Sequence, residues 1–222
     1  NSAATIHWCA DKRAGRLAMQ DAGVPVPETF TSEDFVTRLH RQGTFVLRPP
    51  QHAQGRNLWT GDYDWMRANC MRLAPTGYVS RLIAKVAEYR VFCIQNRVAW
   101  VARKTPGNPD QVAWNVAQGG RFDNVRWDDW PTLVVDAALK AARVSGADFC
   151  GVDVMVDAEG RPYVLEANSA PSQTSEYRQR CVAKALLRIA TAGDKAPLPA
   201  VEWSPRKTYK SYIHPGVRES RE

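Results

Sequence analysis

The chain has 222 residues, of which 44% are hydrophobic and 24% charged, and its formal net charge is +7. This composition is typical of a folded globular protein and excludes extensive disorder. No apolar run approaches the roughly 18 to 20 residues of a membrane helix, and no secretory signal is visible, so no membrane partner is expected. Five cysteines and four histidines lie at irregular spacings, which argues against a disulfide framework or a zinc site and favours a reducing, cytoplasmic location.

The first residues of the chain predict two helices separated by an extended segment. Asp11 is a suitable N-cap for a helix that runs to about residue 22, where Gly23 favours termination. The predicted inward face of this helix contains Ala14, Leu17 and Ala18. The two prolines within residues 24–29 predict extended backbone, and Ser32 is the predicted cap of a short second helix.

The middle of the chain is predicted to be rich in β-structure. The predicted strands are 44–48, 57–60, 78–83, 88–94 and 97–104. A helix capped by Asp62 separates the second strand from the third, and the last two strands form a hairpin across Gln95 and Asn96. Residues 105–120 form a long polar loop, and loops of this length are often functional.

The remaining pattern is helix, hairpin, helix and tail. Its predicted elements are a helix from Pro131, strands at 149–156 and 161–167 around a turn at 157–160, and a helix at 174–190. The tail from residue 197 is rich in proline and charge. This order predicts an α+β fold with antiparallel sheets in two lobes. The predicted divisions are a helical segment at 1–43, lobes at 44–101 and 102–193, and an irregular basic tail at 194–222.

Three oxygen-bearing side chains are predicted to share one face of the 149–167 hairpin. A turn centred on residues 158–159 places Asp153 opposite Val164, with Glu166 and Asn168 on the same face. Burying two unpaired carboxylates together is costly, and a divalent cation relieves that cost. Carboxylate and amide oxygens suit magnesium. The alternative is a solvated hairpin face with a hydrogen-bonded Asn.

The segment GVDVMVDAEGRPYVLEANSAPS, residues 151–172, resembles the C-terminal motif of ATP-grasp enzymes. In that family an Asp, a Glu and an Asn hold magnesium ions on the phosphates of ATP. The similarity is greatest to the D-alanine ligase, glutathione synthetase and ribosomal-protein glutamate ligase branches. The resemblance implies that Asp153, Glu166 and Asn168 are metal ligands and that ATP and Mg²⁺ are the cofactors.

The resemblance extends upstream over three segments. DKRAGRLAMQDAGVPVPETF is similar to the helix and extended segment that precede the family's nucleotide-binding lobe, FVLRPP to a strand that ends at a phosphate-binding lysine, and YVSRLIAKVAEYRVFCI to the adenine hinge. The implied ATP-binding residues are Arg48, Gly55, Arg81, Leu82, Ile83, Glu88 and Arg90. Alternatively, Arg48 is a surface residue at a strand end, and Glu88 and Arg90 form an exposed cross-strand ion pair.

VARKTPGNPDQVAWNVAQGG resembles a segment of glutathione synthetase in which an Arg precedes a flexible loop. By this resemblance Arg103 contacts an acyl-phosphate and Asn115 lies near the reacting groups, while the loop shields them from water. The alternative is a surface loop with incidental glycines.

Together these resemblances imply an ADP-forming ligase that activates a carboxylate as an acyl-phosphate and joins it to an amine on a peptide or small molecule. Residues 44–101 would form the nucleotide-binding lobe and 102–193 the metal-binding lobe. The family usually carries a further N-terminal domain, and at most ten residues precede the first predicted helix. We therefore expect the chain to be a fragment, or a partner subunit or homo-oligomer to complete the site.

A basic nucleic-acid-binding or adaptor protein that uses the same fold without catalysis is the alternative function. The chain contains 30 Lys and Arg residues, eight Trp, and basic tail residues such as Arg206, Lys207 and Lys210. Most of the Trp residues, including Trp65 and Trp100, are expected in the core. The two functions are compatible, since a basic ligase could modify an anionic polymer.

Overall fold

The computed structural model describes residues 1–39, 42–50, 57–108, 111–114, 116, 119–193 and 198. The chain divides into two compact units, Asn1–Pro171 and Ser172–Glu222. The helices of the first unit are α1 (Ala3–Ala10), α2 (Lys12–Asp21), α3 (Ser32–Thr37), α4 (Tyr63–Leu73) and α5 (Thr132–Ser145). Its strands are β1 (Thr29–Thr31), β2 (Phe45–Arg48), β3 (Trp59–Gly61), β4 (Tyr78–Arg81), β5 (Lys85–Ile94), β6 (Arg97–Thr105), β7 (Arg121–Val125), β8 (Phe149–Asp157) and β9 (Pro162–Asn168). The second unit contains α6 (Glu176–Ala192).

Four strands form a small antiparallel sheet in the order β1-β4-β2-β3. Helices α3 and α4 pack against it and bury a cluster of aromatic and sulfur-containing side chains, which includes Phe35, Phe45, Tyr63 and Met66. The Asp62 side chain caps α4 by accepting a hydrogen bond from the backbone N–H of Trp65, as the sequence predicts.

Five strands form a second antiparallel sheet in the order β7-β6-β5-β8-β9. One face is apolar because alternate residues of each strand point to the same side. The valines of this face pack against the alanine-rich side of α5, as do Met19 of α2 and Val24. The two antiparallel sheets and their helices confirm the predicted α+β class.

Several boundaries differ from the prediction. The chain passes from one sheet to the other between β4 and β5, at residues 82–84, whereas the predicted lobe boundary after residue 101 falls inside β6. Neither α1 nor the short strands β1 and β7 were predicted, since each lacks a clear apolar period. Thr31, not Ser32, caps α3, because its hydroxyl accepts from the N–H of Asp34.

Helix α2 begins after its Asp11 cap as predicted, but it buries a different face. The predicted inward residues Ala14, Leu17 and Ala18 are exposed or half-buried. The buried residues are Gly15, Arg16 and Met19. Arg16 is buried because its guanidinium donates to the carbonyl of Leu165 in β9. The buried side of the helix thus combines this polar contact with the packing of Met19 in the core.

The β8–β9 hairpin has a different register from the predicted one. Asp153 lies opposite Glu166, not Val164, and the register shifts between Asp153 and Val154. The turn is one residue longer than predicted, with Gly160 at φ +79°, and this alone would move Asp153 away from Glu166. The irregularity compensates for the longer turn, so Asp153 and Glu166 still share a face.

Parts of the prediction concern residues that lie outside the described ranges. These are the implied ATP-binding residue Gly55, the loop residue Asn115, and the basic tail apart from residue 198. In the part of the chain that is described, no helix combines the length and apolar character needed to span a bilayer.

Candidate functional site

A cleft in the first unit lies between the two sheets, and small-molecule sites are commonly clefts of this kind. Strands β2 and β4 line one wall, and β5, β6, β8 and β9 line the other. Helix α2, the connection between β4 and β5, residues 112–114, Pro27 and Leu58 complete the lining.

Cations outnumber carboxylates in this cleft. The lining cations are Lys12, Arg16, Arg48, Arg81, Lys85 and Lys104. The lining carboxylates are Glu88, Asp153 and Glu166. Six positive and three negative side chains leave an excess of three positive charges, which favours an anionic ligand.

Asp153 forms a bidentate ion pair with Arg90 across β5 and β8. Nε of Arg90 lies 2.6 Å from Oδ1 of Asp153, and Nη2 lies 2.7 Å from Oδ2. The ammonium of Lys104 is 3.6 Å from the same carboxylate. Burial opposes the ionisation of Asp153, but the charges of Arg90 and Lys104 outweigh it and lower the pKa of Asp153 to about 2. The group is therefore a carboxylate at neutral pH.

Glu88 joins two lysines from different strands. It lies directly opposite Lys104 in the β5–β6 pair and accepts a hydrogen bond from it, and it also accepts one from Lys85. Burial lowers the pKa of Lys85, whereas for Lys104 the charges of Asp153 and Glu88 outweigh burial and raise the pKa. The ammonium of Lys85 also lies 4.5 Å from the ring centre of Trp114, which forms part of the cleft wall.

Glu166 connects the hairpin to α2. Its Oε2 is 2.5 Å from the ammonium of Lys12, and its Oε1 accepts a hydrogen bond of 3.1 Å from the side-chain amide of Asn168. Burial and the neighbouring Asp153 act to raise the pKa of Glu166. Lys12 and Asn168 act in the opposite direction and outweigh them, so the pKa is lowered. The three predicted metal ligands therefore lie close together.

The opposite wall presents Arg48 at the end of β2. Its Nη1 donates to the hydroxyl of Ser80 over 2.8 Å, and its guanidinium lies 5.9 Å from the ring centre of Tyr78. Arg81, Leu82 and Ile83 line the same cleft at the crossing between the sheets. The N–H of Leu82 is already bonded to the carbonyl of Thr44, and Arg81 is exposed, with Nη2 donating to the Gln42 carbonyl.

Arg103 does not lie with the other predicted site residues. It is exposed, and strand alternation places it on the opposite side of β6 from its neighbour Lys104. The structure thus brings Lys104 rather than Arg103 into the cleft. Two further predicted residues, Gly55 and Asn115, lie outside the described ranges.

The cleft residues that were not predicted from the sequence include Lys12, Arg16, Lys85, Lys104 and Trp114. The spacing of Lys12 and Arg16, one helical turn apart, does place both on one side of α2. However, only packing shows that this side faces β9. Lys104 and its neighbour Arg103 are both cations that could face the cleft. Only the register of β5 and β6 shows that Lys104 does so.

The donor set at Asp153, Glu166 and Asn168 fits magnesium by its chemistry. Two carboxylates and one amide offer the hard oxygen ligands that this ion prefers. No three Asp, Glu, His or Cys side chains converge within the described ranges, so the amide is needed for a third protein ligand. Arg90, Lys12 and Lys104 already neutralise the two carboxylates, and a bound cation would share this role with them.

The sequence profile described as "RimK-like ATP-grasp domain" matches residues 78–189, which is half of the chain. The chain belongs to the RimK-like ATP-grasp family. The matched segment begins at β4 and includes β5 to β9, and therefore contains the three predicted metal ligands.

Individual relatives agree with this family. The chain is 34% identical over 88 residues to a "Probable alpha-L-glutamate ligase" of Vibrio vulnificus, which corresponds to 40% of this chain and 28% of that protein. This ATP-grasp chain thus aligns with well under half of the relative's length.

Solved structures support the ATP-grasp fold. One is the ATP-grasp ligase PsnB in complex with minimal precursor, Mg and ADP, with a TM-score of 0.56 and 24% identity over 78% of this chain and 57% of that one. Another is the D-alanine–D-alanine ligase of Bacillus anthracis, with a TM-score of 0.57 and 16% identity over 86% and 66% of the two chains.

Proposed function

We propose that this chain carries the ATP- and magnesium-binding site of a carboxylate–amine ligase. In the proposed reaction a substrate carboxylate attacks the γ-phosphate of ATP, which forms an acyl-phosphate and releases ADP. An amine then attacks the acyl carbon, which forms an amide and releases inorganic phosphate. The amine loses a proton in this step.

The observation that carries the proposal is the combination of Asp153, Glu166 and Asn168 with a cation-rich cleft. A binding module would not need two carboxylates in the wall of a cationic cleft with an amide beside them. The family membership agrees with this interpretation, and a relative of the same fold has been solved with Mg and ADP. Magnesium, when bound, would neutralise charge on the phosphates.

The remaining residues supply charge and position. Arg48 and Lys104 would stabilise negative charge on the transferred phosphoryl group from opposite walls of the cleft. Glu88 would hold Lys85 and Lys104 in place, since it contacts both ammonium groups. Arg81, Leu82 and Ile83 at the sheet crossing remain proposed contacts to the adenosine part. The carboxylate and amine substrates are proposed only by class, as a peptide or a small molecule.

The test compares wild-type protein with Glu166→Gln. We expect Mg-ATP to stabilise the wild type, by about 2.7 kcal/mol at an ATP concentration of about 100 times Kd. The stabilisation should be lost in Glu166→Gln, because the amide removes the charge that binds the cation. Thermal unfolding measures this effect, and ADP release in the presence of candidate carboxylates and amines measures turnover.

Glu159→Gln is the matched control, because Glu159 is an exposed carboxylate at the turn of the same hairpin. It should behave as the wild type. If Glu166→Gln retained the full effect of Mg-ATP, the metal assignment would be wrong. If the wild type were not stabilised at all, the nucleotide site would be wrong.

The alternative nucleic-acid-binding function has no specific support in the described residues. The basic tail residues lie outside them, and Trp100 is fully buried. Trp65 is 37% exposed, contrary to the expected core position, and covers Gly61. Affinity for nucleic acid that falls with salt and is unchanged by Asp153→Asn would favour this alternative.

A further inference from the structure

Arg16 of helix α2 is a buried cation with an unused hydrogen-bond donor. The residue as a whole is 3% exposed. Its Nε donates to the carbonyl of Leu165 over 3.0 Å, and Nη2 donates to the same oxygen. Nη1 is buried and has no hydrogen-bond partner among the described residues. A buried guanidinium N–H without a partner is costly, which suggests that a ligand satisfies it.

The surroundings of Arg16 connect it to the cleft. The electrostatic neighbours of the guanidinium are Tyr78, Arg48 and Glu166, and all three line the cleft between the two sheets. Burial and the nearby charge of Arg48 lower the pKa of Arg16 to about 10, so it remains positively charged at neutral pH. Arg16 therefore belongs to the wall of the cleft on the side of α2.

The charge balance around Arg16 is incomplete. Arg16 and Arg48 influence each other as like charges, and Glu166 already pairs with Lys12 at 2.5 Å. The carboxylate that influences Arg16 is therefore already paired with another cation. An anion with several oxygen acceptors would satisfy both guanidinium groups, and phosphate is such an anion.

We propose that Arg16 is a phosphate-binding residue, which donates from Nη1 to a phosphate oxygen of the nucleotide between Arg48 and Glu166. The proposal rests on the proposed nucleotide-binding function and extends it to α2. Helix α2 precedes residues 78–189, the segment that defines the family match. Arg16 would therefore join the nucleotide to the helix at the N-terminal side of the cleft.

Titration calorimetry with ADP, adenosine and pyrophosphate, each with Mg²⁺, separates the phosphate contact from other roles. The variants are Arg16→Gln and Arg16→Lys. Arg13→Gln is the matched control, because Arg13 lies on the same helix but donates to the Thr76 carbonyl in an exposed contact. We expect Arg16→Gln to lower the affinity for ADP by between about tenfold and a hundredfold. Adenosine affinity should not change, and Arg13→Gln should bind ADP as the wild type does.

Unchanged ADP affinity in folded Arg16→Gln would overturn the proposal. An equal loss of affinity for ADP and for adenosine would also overturn it, since Arg16 would then act only by holding β9 through Leu165. If Arg16→Gln does not fold, Arg16→Lys provides the test. Its ammonium keeps the charge but lacks the planar fork of donors that spans Leu165 and the phosphate, so ADP affinity should still fall while adenosine affinity does not.

The wild type distinguishes this inference from the proposed function. Binding of ADP by the wild type with no effect at Arg16 would overturn the inference and leave the function intact. If the wild type bound pyrophosphate but not ADP, the assignment of a nucleotide as ligand would be wrong in both the proposed function and this inference. A wild type that binds none of the three ligands would overturn both proposals.

Discussion

The two faces of the five-stranded sheet bury their side chains in opposite ways. The face toward α5 contains Val91, Val101, Val152 and Val154, which pack against alanines of the helix. The other face presents charged side chains to the cleft and joins them in ion pairs, such as Arg90 with Asp153. Burial of apolar surface stabilises a fold directly, whereas buried ion pairs barely offset their desolvation. The first face therefore accounts for stability, and the second is best explained by ligand binding.

The largest expected effect on stability follows from removing one partner of the buried ion cluster. We expect Lys104→Met to lower the free energy of unfolding by about 3 kcal/mol, the lower end for a broken buried pair. The lower end applies because, without Lys104, Glu88 is still paired with Lys85 and Asp153 is still paired with Arg90. Urea denaturation measures the change. The substitution should also weaken Mg-ATP binding, since it removes a cation from the cleft.

Arg103→Met is the control for Lys104→Met. Arg103 is the adjacent residue on β6 and is exposed on the opposite face, so its loss should change stability by less than about 0.5 kcal/mol. If both variants lost the same stability, the assignment of the two side chains to opposite faces would be wrong.

A smaller effect is expected on the apolar face. Val154 is fully buried in the core cluster next to Asp153 in sequence. We expect Val154→Ala to cost roughly 2 kcal/mol, because it removes buried methyl groups and leaves a cavity. Nucleotide affinity should be unchanged at a temperature where the variant is folded. Calorimetry with ADP would contradict the division between the two faces if affinity fell along with stability.

The smallest effect concerns Asp157, on the cleft side of β8 but at the turn of the hairpin. Burial raises its pKa, but hydrogen bonds from the backbone and side chain of Arg161 outweigh this and lower it. The unfolded chain therefore takes up a proton first as the pH falls. The stabilisation is complete above the unfolded pKa of about 3.9 and is lost as the pH falls through the lower folded value.

Unfolding of wild type and Asp157→Asn at neutral pH and at pH of about 3 measures this contribution. The wild type should be the more stable at neutral pH, and the difference should shrink in acid. An equal difference at both pH values would show that the charge of Asp157 does not matter.

Much of the fold could be predicted from local pattern. Asp11 and Asp62 cap helices where expected, and alternation and turn residues located β2, β4, β5, β6, β8 and β9 to within a few residues. The grouping of Asp153, Glu166 and Asn168 on one face was also predicted. These features depend on periodicity and on short-range hydrogen bonds, which a linear sequence contains.

The tertiary structure alone decided which cations enter the cleft. A regular hairpin around the Gln95–Asn96 turn would set Glu88 opposite Arg103. The irregularity between Phe92 and Cys93 shifts the register by one residue, so Glu88 pairs with Lys104 instead. One residue of slip exchanges the faces of a strand, and no local signal distinguishes Arg103 from Lys104.

The same limit applies to α2. The sequence determined that residues 12–21 form a helix, because Asp11 caps it and its residues favour one. It did not determine the rotation of that helix, which depends on the Arg16 contact to Leu165, 149 residues away in the chain. Capping and periodicity act within a few residues, whereas the composition of the cleft depends on contacts between distant strands and helices.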